Sequence, residues 1–401
     1  MVQLSLCMIV KNESANLAQC LTSVKDLVDE IVVLDTGSSD RTLEIAQEFG
    51  AVTASQEWTE DFAAARNEAL KLVTGDWVLV LDGDEIFNIN AIKDVKSAIA
   101  QENTLVVNLI RHEIGASQSP YSAVSRLFRK HPNLKFARPY HETIDDSVLK
   151  LLKQEPHWNI VELPIVSILH SGYTPEVLQT KDKANRAKSL LEKAFKENPN
   201  DPYICSKLGA LYLQLGQEKE GLKLLKQGLK VNTASVPISF ELHYHLANAY
   251  LHQKKWELAN KHYQKAINQP ILPQLKIGAF NNFAGLLKSV GDLKNAQIAY
   301  ETILKIDPTF AVGYYNLAML LKDKGQLQDA IALYQKAINL NPNYAEAYQN
   351  LGVTCFKAGL LQESLEAFKK AINLYEAQQS PEAEKLTRSL EEMGMLDKKE
   401  T

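Results

Sequence analysis

A chain of 401 residues exceeds the size of one ordinary hydrophobic core, so two or more domains are expected. An apolar content of 45% and a charged content of 23% are typical of a soluble globular protein. The formal net charge of −4 argues against nucleic acid or an anionic membrane surface as the main partner.

The cysteines and the N-terminal segment bear on the cellular compartment. Cys7, Cys20, Cys205 and Cys355 are far apart and form no CxxC pair, which favours reduced, mostly buried thiols over a disulfide or metal framework. The segment MVQLSLCMIV is apolar but lacks a basic n-region and a small-residue cleavage site. No run approaches the roughly 18 apolar residues of a membrane span. We therefore expect a cytoplasmic protein without a transmembrane segment.

Residues 1 to about 170 alternate short apolar runs with helical patterns. The runs LSLCMIV, EIVVLD and DWVLVLD are continuous, as expected for strands covered on both faces. The segments ESANLAQCLTSV, RTLEIAQEF and EDFAAARNEALKLV have helical spacing. Strands and helices that alternate in this way predict a Rossmann-like, mostly parallel α/β sheet. From Leu105 onward the pattern changes to shorter strands, such as AVSRLFR and IVSILH, and more loop.

After Tyr173 the helical patterns follow one another without strands, and several positions recur every 34 residues. The recurring residues are glycines, prolines and aromatic residues: Gly291, Gly325 and Gly359; Pro308 and Pro342; Tyr300, Tyr334 and Phe368. A period of 34 with this pattern is that of the tetratricopeptide repeat (TPR), a helix pair that stacks into an all-α solenoid. Earlier units are expected near 202–239 and 240–276.

The change of pattern divides the chain into four expected parts. They are an α/β domain at residues 1–175, a connecting helix at 176–200, the repeats at 201–378, and a capping helix with a tail at 379–401. Stacked repeats offer a concave groove to an extended peptide or a partner helix. The alternative is that the repeats pack against a second copy and make a homodimer.

Polar clusters follow three of the predicted strands: KNES, DTGSSDRT and DGDE. Parallel α/β sheets bind ligands at the carboxyl ends of their strands, so these clusters should meet at one edge. A turn and a helix N-cap explain Ser38, Ser39 and Asp40, but they do not explain Asp35, which still belongs to the strand end.

The segment WVLVLDGDEIF places three carboxylates within four residues, which requires either solvent or a cation. In an extended chain Asp82 and Asp84 point the same way, roughly 6–7 Å apart. One could then take a metal and the other a neighbouring hydroxyl. Oxygen ligands of this kind suit Mg²⁺ or Mn²⁺, with a diphosphate filling the remaining positions. A solvated strand end is the alternative.

The order MIVKNE, DTGSSDRT, FAAARNEA and LDGDE resembles the donor-binding half of family 2 glycosyltransferases, which have the GT-A fold. The resemblance covers roughly residues 1–172. It implies that Asn12 and Glu13 lie beside the nucleotide and that Asp35 reads the uracil ring of a UDP-sugar. It also implies that Arg66 approaches the same base.

The same resemblance assigns the later motifs. In the DxD motif, Asp82 is the ribose-binding member and Asp84 the metal-binding member. Inverting enzymes need a carboxylate to deprotonate the acceptor. Many members have an ED pair, whereas RPYHETI contains His141 and Glu142, so Glu142 is the candidate base. His170, in ILHSGY, is expected to complete the metal shell or bind the diphosphate, with a structural histidine as the alternative.

Two arginines in SRLFRK and four recurring asparagines are further candidates. Arg126 and Arg129 could hold a diphosphate or an acceptor anion, and a solvated strand face is an equal alternative. The asparagines recur near one position of the first helices: Asn248, Asn282, Asn316 and Asn350. Their amides could bind a peptide backbone, or they could bond neighbouring repeats.

The expected activity is metal-dependent, inverting transfer of a hexose from a UDP-sugar to an acceptor. Bacterial enzymes that glycosylate peptides on cysteine resemble the whole layout, which favours a protein or peptide acceptor. Two other functions stay open. The repeats could carry the function by binding other proteins, with the first domain a catalytically inactive scaffold. The DGDEI segment also resembles the haloacid-dehalogenase phosphatase motif, although Ile86 and the downstream TIDDS fit that motif poorly.

Overall fold

The computed structural model describes residues 2–116, 119–138, 142–171, 181–231 and 234–396. Its contacts divide the chain into two units. One unit is Met1–Ala249 with Asn268–Lys276, and the other is Tyr250–Ile267 with Ile277–Thr401. In the described part of the chain, no helix combines the length and the apolar character needed to cross a membrane.

The first unit is built on one mixed sheet of eight strands. The strands are β1 Leu4–Val10, β2 Glu30–Asp35, β3 Val52–Ser55, β4 Trp77–Val80, β5 Glu85–Phe87, β6 Thr104–Glu113, β7 Tyr121–Arg129 and β8 Asn159–His170. Their spatial order is β3-β2-β1-β4-β7-β6-β8-β5. Strands β1 to β4 pair in parallel, which confirms the expected α/β sheet.

The second half of the sheet is mixed. Strand β7 is antiparallel to both β4 and β6, β8 is parallel to β6, and β5 is antiparallel to β8. Residues 114–120 join β6 to β7, and so short a connection cannot make the crossover that parallel neighbours need. β7 is therefore antiparallel to β6. It also pairs with β4, so Arg126 lies just beyond the paired residues Leu79 and Leu127, toward the carboxyl end of β4.

Five helices cover the two faces of this sheet: α1 Leu17–Val24, α2 Thr42–Glu48, α3 Phe62–Leu72, α4 Ile92–Ile99 and α5 Asp145–Gln154. Leu6 and Met8 of β1 pack in one core cluster with side chains of α1 and α4. Cys7, between them, packs in a second cluster with side chains of α3 and α5. Alternate residues of one strand thus serve opposite cores, which explains why the strand is apolar throughout.

From Lys181 onward, the described residues are mainly helical. The helices are α6 Lys181–Glu197, α7 Pro202–Gln214, α8 Glu218–Lys230, α9 Val236–His252, α10 Trp256–Ile267, α11 Ile277–Ser289, α12 Leu293–Ile306, α13 Ala311–Asp323, α14 Leu327–Leu340, α15 Ala345–Lys357, α16 Leu361–Ala377 and α17 Glu382–Glu392. Gly291, Gly325 and Gly359 follow α11, α13 and α15 with φ of +83°, +77° and +79°. Glycine adopts this left-handed conformation without strain, so it ends the first helix of each pair. The tetratricopeptide solenoid is confirmed.

One expected regularity of the repeats is wrong. Asn282, Asn316 and Asn350 each lie five residues after the first residue of their helix, whereas Asn248 lies twelve residues after the start of α9. Residues 268–276 lengthen the connection between α10 and α11, so a spacing of 34 does not keep the helical position there. Only three of the four asparagines share a site.

All four cysteines are free and buried, as expected. Burial raises the pKa of the Cys7 thiol to about 12 and that of the Cys205 thiol to about 11. These thiols fill core positions in the way that small apolar residues do.

Candidate active site

The acidic segment after β4 is a turn. The N–H of Glu85 donates to the carbonyl oxygen of Asp82 at 3.1 Å, so the chain reverses at residues 82–85. The expectation of an extended chain at Asp82 and Asp84 is therefore wrong. Asp82 and Glu85 share Arg126, whereas Asp84 contacts His170.

Asp82 lies between two arginines. Its Oδ1 is 2.5 Å from Nη2 of Arg66, and its Oδ2 is 2.8 Å from Nη2 of Arg126. Arg66 comes from α3 and is only 3% exposed, and Arg126 comes from β7. Burial alone would raise the pKa of Asp82, but the charges of Arg126 and Arg66 outweigh it and hold this pKa far below its usual range. Asp82 is a permanent hydrogen-bond acceptor at neutral pH.

Glu85 is completely buried and also lies between two arginines. Its Oε2 is 2.6 Å from Nη1 of Arg126, and its Oε1 is 3.0 Å from Nη1 of Arg111. The carboxylate also accepts the N–H of Asp82 at 2.9 Å. Burying this carboxylate is tolerated because both of its oxygens are paired with cations. Arg126 therefore has two carboxylate partners, and the alternative of a solvated strand face is wrong for it.

His170 ends β8 and joins two acidic residues. Its Nδ1 is 2.6 Å from Oε2 of Glu113, and its Nε2 is 3.4 Å from Oδ2 of Asp84. The hydrogen bonds to Asp84 and Glu113 outweigh burial and raise the pKa of His170 to about 9. Glu113 in turn accepts from Arg111 at 2.7 Å. A carboxylate on one imidazole nitrogen is the usual support of a histidine whose other nitrogen binds a metal.

Glu142 contacts the same arginine as Asp82. Its Oε1 is 2.7 Å from Nε of Arg66, and its side chain is 11% exposed. Arg66 thus brings together Glu142, the candidate base, and Asp82, the residue expected to bind the ribose. His141 lies outside the described residues.

The ends of β1 and β2 carry Asn12 and Asp35. Asp35 is buried, and its Oδ2 accepts the N–H groups of Gly37 and Ser38, each at 3.0 Å. Asn12 has a φ of +55°, and its Oδ1 accepts the N–H of Ser39 at 2.8 Å. Its own N–H donates to Oγ of Ser38 at 2.9 Å. The two loops are therefore bonded to each other beside Asp35.

Glu13 packs against the acidic turn. A Cβ added to Gly83 would lie 2.7 Å from Cγ of Glu13, so only glycine leaves room for this approach. Burial, followed by the negative charges of Asp84 and Asp82, raises the pKa of Glu13 despite a hydrogen bond from Asn16. A carboxylate in these surroundings is stabilised by a cation.

Arg129 does not join this cluster. Its Nε donates to the carbonyl oxygen of Thr104 at 3.1 Å. Its guanidinium lies 5.0 Å from the centroid of the Trp77 ring and 5.4 Å from that of the Trp158 ring. Arg129 therefore supports the sheet, and it is not available to an anion.

Sequence reasoning missed Glu85, Arg111 and Glu113. Arg111 and Glu113 are two residues apart on β6, so they share a face of the sheet. A charged pair at this spacing, at the end of the apolar run TLVVNLI, was the available signal. Among the described residues, no group of three or more histidine, cysteine, aspartate or glutamate side chains is arranged to hold a metal by itself.

Comparisons with known proteins match both the N-terminal domain and the repeats. Residues 5–161 match the family Glycosyl transferase family 2. Tetratricopeptide families match residues 180–237, 241–270, 277–310, 299–332, 320–359 and 345–378. The YrrB crystal structure, described as "a TPR protein with an unusual peptide-binding site", covers 47% of this chain and 93% of its own at 19% identity, with a TM-score of 0.39.

Two relatives each match more than half of this chain. The TPR repeat-containing protein Synpcc7942_0270 of Synechococcus elongatus is 45% identical over 73% of this chain and 73% of its own length. The SPbeta prophage-derived glycosyltransferase SunS of Bacillus subtilis is 30% identical over 55% of this chain. The match covers 52% of SunS, about half of that protein. The chain carries a Glycosyl transferase family 2 domain at residues 5–161, and it is a glycosyltransferase whose GT-A-like domain is followed by tetratricopeptide repeats.

Proposed function

We propose that this glycosyltransferase is metal-dependent and inverting, and that it moves a hexose from a UDP-sugar to a protein or peptide. The observation that carries the proposal is the double contact of Arg66. One buried guanidinium holds Asp82, on the donor side, and Glu142, the candidate base. We place the protein in the cytoplasm because its four thiols are free.

The donor side would bind the nucleoside. Oδ2 of Asp35 already accepts two backbone N–H groups, and a carboxylate has about four acceptor positions, so Asp35 can still accept an N–H of uracil. Asp82, kept ionised by its arginines, suits the ribose hydroxyls. Two nitrogens of Arg66 contact carboxylates, and within the described chain Nη1 contacts no acceptor. Nη1 is therefore the atom we assign to the base.

Asp84 and His170 fit a Mn²⁺ or Mg²⁺ ion as two of its ligands. One supplies an oxygen and the other a nitrogen, the two atoms are 3.4 Å apart, and Glu113 holds the second nitrogen of the ring. Oxygens of the diphosphate and water would complete the shell. When bound, the ion would neutralise the charge that develops on the leaving diphosphate.

Glu142 would act on the acceptor. Its carboxylate takes the proton of the attacking group while that group bonds to the anomeric carbon and the UDP leaves. The contact between its Oε1 and Nε of Arg66 orients the carboxylate. Inversion at the anomeric carbon follows from this single displacement.

The repeats would hold the acceptor in their groove. The asparagines support this only weakly, because Nδ2 of Asn316 donates to Asn281 at 2.7 Å and Nδ2 of Asn350 donates to Tyr315 at 3.0 Å. These amides bond neighbouring repeats, and the groove itself remains the reason to propose an extended peptide. Assembly of a homodimer is the second role we propose for the solenoid.

Calorimetry with UDP and a hydrolysis screen test the proposal. We expect UDP to bind with Mn²⁺ and to bind much more weakly with EDTA, and we expect one of a panel of UDP-hexoses to be hydrolysed slowly. GDP and CDP serve as base controls, because guanine is a purine and N3 of cytosine carries no hydrogen. Equal binding of UDP with and without metal would contradict metal dependence, and equal binding of all three nucleotides would contradict the assignment of Asp35.

A further inference from the structure

The segment that carries Glu142 is closed by a backbone pair. Ala137 and Thr143 form an isolated antiparallel bridge, with N–H···O distances of 3.0 and 3.2 Å. Arg138 directly follows the first residue of this bridge, and Glu142 directly precedes the second. Through the bridge, a constraint on Arg138 limits the position of Glu142.

Helix α3 holds the Glu142 side of this segment. Nε of Arg66 contacts Glu142 at 2.7 Å. The next residue of α3, Asn67, accepts the N–H of Phe136 at 2.8 Å and donates to its carbonyl oxygen at 2.9 Å. The same helix thus fixes both the candidate base and Phe136, two residues before Arg138.

Arg138 holds the opposite side. Its Nη2 is 3.1 Å from Asp146, in the first turn of α5, and 3.1 Å from Asp201, which caps α7. Its guanidinium also lies 4.2 Å from the centroid of the Tyr203 ring. Arg138 therefore connects the segment to α5 and to α7, the first helix after residue 200.

The backbone at Arg138 is unusual. Its φ of +77° is left-handed, a conformation that favours glycine. Its Nε is buried and has no hydrogen-bond partner among the described residues. Residues held in this way persist where the surrounding structure imposes them, and they cluster at active sites. Neither the left-handed backbone nor the unpaired Nε stabilises the fold. The contribution of the side chain therefore comes from its contacts with Asp146 and Asp201.

We propose that Arg138 is a positioning residue for Glu142. By fixing the Ala137–Thr143 bridge to α5 and α7, it holds the Glu142 carboxylate against Arg66. This inference rests on the proposed role of Glu142 as the base. It makes the first helix of the repeats part of the catalytic geometry, in addition to any role in binding the acceptor.

The test uses the full chain with Arg138→Gly, because glycine adopts the left-handed backbone freely and removes only the side chain. Hydrolysis of the UDP-hexose selected by the screen, with Mn²⁺, gives kcat and KM. We expect kcat to fall about tenfold to a hundredfold, as for a displaced catalytic group, with KM and UDP affinity unchanged. The melting temperature should fall, because Asp146 and Asp201 lose their cation, but the protein should remain folded at the assay temperature. Arg388→Ala, which removes an exposed arginine of α17, is the control and should leave all four values unchanged.

A double-mutant comparison decides how Arg138 acts. If it acts through Glu142, Arg138→Gly should cause no further loss of kcat in a Glu142→Gln background. An equal loss in both backgrounds, or a normal kcat in Arg138→Gly alone, would overturn the positioning role while leaving Glu142 as the base. Full hydrolysis by Glu142→Gln alone would overturn the base assignment and the positioning role together.

Discussion

Arg66 contacts Asp82 through Nη2 at 2.5 Å and Glu142 through Nε at 2.7 Å, while almost none of its surface is exposed. Two carboxylates from distant parts of the chain therefore depend on one cation. The arrangement couples the geometry of the donor side to that of the base. It also makes Arg66 important for stability, since both carboxylates are largely screened from solvent.

Arg66→Ala should lower the free energy of unfolding by about 3–5 kcal/mol, because it leaves the largely buried Glu142 without its cation and leaves Asp82 with Arg126 alone. Urea unfolding followed by circular dichroism measures this change. Arg388→Ala, which breaks an exposed pair with Glu384, should change the same quantity by less than about 1 kcal/mol. Similar midpoints for the two variants would show that Arg66 is not a structural cation.

Asp84→Ala should abolish the part of UDP affinity that depends on Mn²⁺, because it removes one of the two proposed ligands. The side chain is 39% exposed, so the melting temperature should change little. Titration of UDP with Mn²⁺ and with EDTA measures the effect, and Glu102→Ala, at an exposed loop carboxylate, is the control. Undiminished affinity with Mn²⁺ would show that Asp84 holds no metal.

Glu142→Gln should bind the donor normally but transfer or hydrolyse it about 10²- to 10⁴-fold more slowly, the usual contribution of a general base. Glutamine keeps the shape and can still contact Arg66, so folding should be preserved. Steady-state hydrolysis and UDP calorimetry on one preparation separate the two effects. Near-full activity would move the base to another carboxylate, with Asp145 and Asp146 the next to test.

Gly83→Ala should weaken UDP binding, because the added Cβ would lie 2.7 Å from Cγ of Glu13 and must displace it or the turn. Overpacking of this kind typically costs about 1–3 kcal/mol. Gly285→Ala is the matched control, since a Cβ there meets only the Tyr300 hydroxyl at 4.0 Å. Equal UDP affinity in both variants would show that Glu13 does not need its present position.

Truncation distinguishes catalysis from acceptor binding. A chain ending at Lys276 keeps the first unit, so it should bind UDP and hydrolyse the donor as the full chain does, but lose transfer to the natural acceptor. A chain ending at Asn200 lacks Asp201, a partner of Arg138, and should hydrolyse the donor at least about tenfold more slowly with UDP binding retained. Circular dichroism checks that both are folded. Full transfer by the chain ending at Lys276 would show that the repeats after Lys276 do not bind the acceptor and serve only in assembly.

The fold was largely predictable, because apolar runs and a 34-residue period are local sequence patterns that indicate which residues are buried. The position of Glu85 was not. In DGDE it resembles any solvated carboxylate, yet it is buried because Arg111 and Arg126 reach it from 26 and 41 residues away. That pairing depends on the mixed half of the sheet, whose strand order no local pattern contains. The contacts of Arg138 could not be predicted for the same reason, since its partner Asp201 lies 63 residues further along the chain.

The buried cysteines have a practical consequence for measuring motion in this enzyme. A thiol reacts as the thiolate, and all four native thiols are at most 2% exposed, so maleimide reagents should leave them unmodified while the protein is folded. A cysteine introduced at Glu102 and another at Arg388 would place one reactive position in each unit. A fluorophore pair attached there could follow distance changes during turnover without any native cysteine being replaced.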